Sequence, residues 1–236
     1  KLWNGRPLKE ETKLLLVTEQ GLGDTMQFMR YALALKNQNL IISFCASPRL
    51  HPLIKSSGLD PSPLSPKQAE QVKEGQWIPL LSVPRHLNVS PGNPIITKPY
   101  IKATDKLNDK WKYIFSEETK PMIGINWRGN RDDASKQYRN IPTHSFRKII
   151  EACTGNFICL QRGAQYSEMD ELLMNHRINS YQSDISRLAD SDDPNNFLEY
   201  AAVITNCDLV MQTMERQATE GRDQTATRNR ARFGGH

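Results

Sequence analysis

The chain has 236 residues, 38% of them hydrophobic and 24% charged, with a formal net charge of +5. That length holds one large domain or two small ones, and the composition is globular. The basic excess is spread along the sequence, which argues against a nucleic-acid patch and suits anionic small molecules as well. With no run of eighteen apolar residues, no membrane span is expected.

The opening segment, "KLWNGRPLKEETK", lacks the apolar centre of a secretory signal. The chain does not open on Met, so it is expected to be a piece of something longer. "KLLLVT" (13–18) is a short apolar run bounded by a turn signal and predicts a buried strand. A helix is expected over 25–36, with Met26, Met29 and Leu33 at helical spacing and Asp24 and Gln27 at capping-box spacing. "NLIISFCA" (39–46) predicts a second strand, "PRLHPLIKSSG" (48–58) a short helix ended by Gly58, and "QWIPLLSVP" (76–84) a third strand. This alternation implies parallel βαβ units.

Residues 85–103 are rich in Pro, Asn and Gly and read as a connection, followed by a helix over 105–115. The pattern then restarts: a strand at 121–127, a polar loop at 128–140, a helix at 142–153, a strand at 156–161 and a helix at 167–174. A helix within 193–207 feeds a last strand, "CDLVM". After Met214 the sequence contains no Val, Ile or Leu and cannot build a core, so residues 214–236 are expected to be disordered. Of the four cysteines, Cys45, Cys159 and Cys207 sit in or beside apolar strand-like runs, and no CxxC occurs. Buried reduced thiols are expected, which fits a cytoplasmic setting.

The chemistry concentrates in two loops. "EQGLGDT" joins a strand to a helix, where glycine lets backbone come close to a ligand and free amides favour an anion. The third glycine of a dinucleotide fingerprint is Met26 here, and the Gly-Lys-Ser/Thr of a Walker loop is absent. Asp24 is open to two readings at this stage, an ordinary helix N-cap or a reactive carboxylate. The second loop, "NWRGNRDDASKQYRNIP", carries Arg128, Arg131, Lys136 and Arg139, whose guanidinium forks suit a diphosphate. Asp132 and Asp133 also permit a balanced, solvated loop. Both loops follow the first strand of a unit, where open parallel sheets bind ligands.

"LWNGRPL…KLLLVTEQGLGDTMQFMRYALAL", "WIPLLSVP" and "IGINWRGN…YRNIPTHSF" together resemble the glycosyltransferase-like region of bacterial tetratricopeptide-repeat proteins. That region is similar to O-linked N-acetylglucosamine transferases and, more distantly, to lipopolysaccharide heptosyltransferases. The resemblance covers about residues 1–211. It implies an α/β, GT-B-like fold: two Rossmann-like domains facing a cleft, at 1–103 and 104–213. It implies inverting, metal-independent transfer of a sugar from a nucleotide-sugar donor to an acceptor hydroxyl on a protein or glycan, with no cofactor. Asp24 occupies the position of the general base in the heptosyltransferases. Gln20, Gly21, Gly23 and Thr25 of the first loop, and Arg128, Gly129 and Arg139 of the second, are expected to bind substrate. Gln161 and Arg162, just past "NFICLQ", are expected to line the same cleft, and Gln27 and Arg30 to brace the loop.

Two departures accompany the resemblance. Asn140 stands where the family usually has Ser. "MQTMERQATEGRDQ" replaces the family's donor-binding segment after "DLV", which implies a truncated second domain. Upstream tetratricopeptide repeats are expected in the full-length protein. The alternative function is a non-catalytic module that binds a sugar nucleotide or a partner.

Overall fold

The computed structural model describes residues 1–8, 12–19, 21–127, 141–161 and 196–212. The helix expected at 167–174 and the tail at 214–236 lie outside these. The chain divides into two compact units, Lys1–Leu107 joined by helical residues up to Ala202, and the chain from Asn108 onward apart from that stretch.

The first unit is a βαβ array. Strand β1 is Lys13–Val17, helix α1 Leu22–Asn37, β2 Ile41–Cys45, α2 His51–Ser56, α3 Pro66–Ala69, β3 Gln76–Pro79 and α4 Val83–His86. All three strands run parallel in the order β2-β1-β3, with Leu14 opposite Ile42 on one side and Gln76 on the other. Residues 76–84, expected as one strand, divide into β3, a 3-10 turn at Leu80–Ser82 and α4. Pro79 and Pro84 lack the amide hydrogens a ladder needs, so the strand cannot run on.

Helix α1 begins at Leu22, three residues before the expected start, and its N-cap is Gly21 rather than Asp24. It ends in a Schellman turn. Asn39 has φ 63°, its amide bonds the Lys36 carbonyl, and the Leu40 amide bonds that of Leu35. Gly58 ends α2 in the same way at φ 67°, as the sequence predicts, and Lys36 Nζ donates to its carbonyl oxygen at 2.6 Å.

The core lies between the sheet and α1. Leu14, Leu16, Phe44, Met29, Ala32 and Leu35 are fully buried there. Each large apolar side chain so buried contributes about 1.5–3 kcal/mol. Leu198, near the start of helix α7 (Asn196–Thr205 by its bounds), joins this core, and Phe197 lies under Arg49 at 5.6 Å. The opposite sheet face carries Leu15, Val17, Cys45 and Trp77. It is only half covered, because α3 is a single turn, closed by a Ser65–Gln68 capping box. Trp77 is therefore 41% exposed.

The second unit repeats the topology. Helix α5 is Asp105–Ser116, β4 Met122–Asn126, α6 Thr143–Glu151, β5 Asn156–Cys159 and β6 Leu209–Gln212. The strands are again parallel, in the order β5-β4-β6, with Gly124 between Ile158 and Val210. Asp208 holds the start of β4 by accepting the Met122 amide at 2.7 Å. Ile123, Ile125, Trp127, Phe146, Ile150 and Phe157 form the core. The four cysteines are free, Cys45 and Cys159 buried. Burial, with Asp208 beside it, pushes the Cys207 thiol up to about 12 against the bond from the Gly124 backbone, which leaves it a poor nucleophile.

Candidate functional site

In a sheet ordered β2-β1-β3 the chain leaves β1 toward one side and returns to the other. The strand order reverses between β1 and β3, and open α/β sheets bind ligands beyond the carboxyl ends of the strands at such a point. Two segments flank it. One is the β1–α1 loop with the start of α1, and the other is the 3-10 turn Leu80–Ser82 after β3, which packs against α1. "EQGLGDT" and "WIPLLS", far apart in sequence, thus meet at one sheet edge. The sequence reading took the second only as a strand and missed its turn.

The start of α1 has an unusual composition for what its backbone requires. Gly21 has φ −59° and ψ 167°, values open to any residue, and Gly23 is not among the residues with positive φ. A Cβ at Gly23 would meet nothing within 4 Å, and one at Gly21 would meet only Asp24 Oδ2, at 3.5 Å. Neither backbone angle nor packing demands glycine at these two positions. Both residues are exposed and present bare backbone where the first amides of α1 have no helical partner. Glycine inside a helix costs about 1 kcal/mol relative to Ala, so at Gly23 the fold alone would favour another residue.

Asp24 is the third residue of α1 and is exposed. It makes no capping bond, and among the described residues its carboxylate has no hydrogen-bond or ion-pair partner. Negative charge in a first turn is favoured by about 0.3–1 kcal/mol through the helix dipole. Its oxygen leans back over Gly21, so the carboxylate and the bare backbone share one surface. Thr25 differs: it is 2% exposed, and its hydroxyl donates to the Gly21 carbonyl oxygen at 3.2 Å. The threonine fixes the loop to the helix from beneath.

Gln27 and Arg30 fasten another segment. Arg30 Nε donates to the Gln27 carbonyl oxygen at 2.9 Å, and the Tyr100 hydroxyl donates to the same oxygen at 3.2 Å. The Arg30 guanidinium lies 5.5 Å from the Tyr100 ring centre. Lys102 is tied to α2, its amide to Ser57 Oγ at 3.0 Å and its carbonyl to Ser56 Oγ at 2.5 Å. The Pro-rich connection is thus pinned onto the first unit, a role no motif announces.

In the second unit the order reverses between β4 and β6, so its corresponding edge is the end of β4. Trp127 there is 1% exposed and packs near Phe146, which settles it as a core residue. Gln161 follows β5, on the other side of β4 from β6, and is 7% exposed. Gln20, Arg128, Gly129, Arg139 and Arg162 lie outside the described residues. Among the described residues no three His, Cys, Asp or Glu gather as metal ligands, and no helix is long and apolar enough to cross a membrane.

No family model matches the chain, and no curated protein matches it. Among solved structures it is similar to ADP-heptose lps heptosyltransferase II of E. coli, at 12% sequence identity and a TM-score of 0.47. That similarity covers 85% of this chain and 78% of the other.

Proposed function

We infer that the chain is a glycosyltransferase moving a sugar from a nucleotide-sugar donor to an acceptor hydroxyl, with inversion and without a metal. Its two Rossmann-like units, 1–103 and 104–213, are those of a GT-B enzyme that works in the cytoplasm beside upstream tetratricopeptide repeats. The observation that carries this reading is the start of α1. Two glycines the fold does not need leave backbone bare beside the Asp24 carboxylate, which has no partner among the described residues, at the reversal point of a parallel sheet. Of the motifs of the resemblance, "EQGLGDT" and "WIPLLS" flank that same edge.

In this reading the acceptor hydroxyl attacks the sugar's anomeric carbon, and the bond from that carbon to the donor phosphate breaks. Asp24 takes the hydroxyl proton, and one displacement inverts the centre. The leaving diphosphate is met by Arg128 and Arg139. Gly21 and Gly23 admit substrate to the carboxylate, and Thr25 holds the loop.

Nucleotide binding tests the reading. One of UDP, GDP, ADP or CMP is expected to raise the melting temperature by about 5–10 °C at a hundredfold excess over Kd, and Arg139→Ala to abolish the shift. No shift with any nucleotide, together with no transfer, would overturn it. The departure that begins at Met211 within β6, where "MQTMERQ" replaces the family's donor segment, favours a second reading as a binding module. That reading expects the nucleotide shift with no turnover for any acceptor.

Gly23→Ala tests the carrying observation. The methyl group meets open space, so stability is expected to hold or to rise by up to about 1 kcal/mol. Transfer is expected to fall about a hundredfold, since an approach displaced by an ångström costs that much. Full activity in this variant would show that the bare backbone is not used.

A further inference from the structure

Five asparagines among the described residues are exposed: Asn4, Asn37, Asn39, Asn88 and Asn93. Asparagine is chemically labile, because the main-chain nitrogen that follows it can attack its side-chain carbon. That attack needs a nitrogen not already committed to a hydrogen bond, and the structure separates the five on this ground. The amide after Asn37 donates to the Leu35 carbonyl oxygen at 3.0 Å, and the amide after Asn39 donates to the same oxygen at 3.2 Å. The amide after Asn88 donates to the Pro84 carbonyl oxygen at 3.0 Å, and Asn93 is followed by Pro94, whose nitrogen carries no hydrogen. The amide after Asn4 belongs to Gly5, and among the described residues it donates to nothing.

The local geometry favours attack at Asn4. Gly5 is exposed and has no Cβ to shield its nitrogen. The Asn4 side chain is folded over the backbone that follows it, where the Arg6 amide donates to Asn4 Oδ1 at 3.2 Å. That oxygen takes up negative charge when a nitrogen adds to Cγ, so the Arg6 amide already stands where an oxyanion donor is needed.

We propose that Asn4 is a self-modification site, at which the Gly5 nitrogen cyclises onto the carboxamide and the residue becomes aspartate and isoaspartate, the isoaspartyl product untying residues 1–3 from β3. The Gly5 nitrogen bonds to Asn4 Cγ as the bond from Cγ to Nδ2 breaks. Nδ2 leaves as ammonia, carrying the proton from Gly5. A water molecule then opens the cyclic imide. Opening at Cγ gives aspartate. Opening at the main-chain carbonyl carbon gives isoaspartate, with the main chain rerouted through Cβ and Cγ. Ammonia is exchanged for water, and nothing is oxidised or reduced.

The surroundings of Asn4 set the consequence. Trp3 Nε1 donates to the Arg6 carbonyl oxygen at 2.8 Å, closing a loop over Asn4 and Gly5. The Trp3 amide donates to the Trp77 carbonyl oxygen at 2.8 Å and the Trp77 amide to that of Lys1 at 3.0 Å, so the segment is bonded along β3. Gly5 sits tightly, since a Cβ there would stand 2.7 Å from His86 Nδ1. An extra main-chain methylene lengthens a loop that is closed at both ends and has no space beside His86. Trp3, 6% exposed, then loses its place against the first unit.

The full chain is incubated in warm, mildly alkaline water enriched in heavy oxygen, and its peptides are read by mass spectrometry, with an isoaspartate-specific methyltransferase as a second label. The peptide holding Asn4 is expected to take up heavy oxygen and to accept the methyl label, while Asn37, Asn39, Asn88 and Asn93 keep their carboxamides. In the converted chain the Trp77 amide is expected to lose the hydrogen-exchange protection it has in fresh protein. Asn4→Gln, whose longer side chain would have to close a larger ring, is expected to take up no oxygen at that position and to stay protected. Asn4→Asp supplies the charge without the added methylene and is expected to be protected as well when fresh. No oxygen uptake at Asn4 in the folded chain would overturn the proposal. So would equal conversion at Asn39 or Asn88, or an isoaspartyl chain whose Trp77 amide keeps its protection.

Discussion

Asp24→Asn is expected to lower sugar transfer by about 10²–10⁴-fold, the usual contribution of a positioned general base. The same variant is expected to keep its melting temperature within about 3 °C. Both halves follow from the placement of the carboxylate. It is exposed, it caps nothing, and among the described residues it has no partner, so its removal breaks no packing and orphans no donor. What the fold loses is first-turn charge, about 0.3–1 kcal/mol. Asn keeps the shape and can still accept a hydrogen bond, but it cannot take a proton at neutral pH. The kinetic signature is therefore a fall in kcat with nucleotide binding retained. Unchanged turnover in Asp24→Asn would remove the base assignment and leave the glycine surface as a binding element alone.

How much of this was legible follows from the range of the interactions involved. The βαβ alternation, the Gly58 stop and the restart at residue 121 are written in runs of four to eight residues, where apolar period and turn chemistry are local. The start of α1 was misread because Asp24 fits an N-cap by spacing, whereas backbone geometry places the cap at Gly21. No sequence rule shows that a glycine is dispensable to the fold; that needs its φ and the space around a Cβ. The Leu80–Ser82 turn was hidden in an apolar run, and Tyr100 in a connection without period. Their roles depend on α1, some fifty to seventy residues away in sequence. The open sheet face was equally unreadable, since "KLLLV" has the same composition whether one face or both are covered.

Asp60→Ala is expected to destabilise the fold by about 3 kcal/mol, a large part of the 5–15 kcal/mol that holds a typical domain together. Asp60 is 4% exposed, yet it has partners on every side. Its Oδ2 accepts the Phe44 amide at 2.7 Å and the Ser43 hydroxyl at 3.1 Å, while Oδ1 accepts the Ser62 amide at 2.9 Å. The Phe44 amide faces away from β1 on the outer edge of the sheet, where Leu64 bonds the Phe44 carbonyl and the Ala46 amide but not the Phe44 amide. Alanine would leave that amide buried and unpaired, at about 1–3 kcal/mol, and release the turn that brings Leu64 to the edge. Asn is expected to fall between the two, because one of its ends presents donors where Asp60 presents an acceptor. The measurement is chemical denaturation of the three proteins: a loss below about 0.5 kcal/mol in Asp60→Ala would show that the edge holds without the carboxylate. Because Asp60 lies under β2 and not at the β1–β3 reversal, the folded fraction of Asp60→Ala is expected to bind nucleotide normally. The two carboxylates then separate cleanly. Changing the exposed carboxylate, without a partner among the described residues, is expected to affect transfer at little cost to stability, and changing the buried, bonded one to affect stability at little cost to binding.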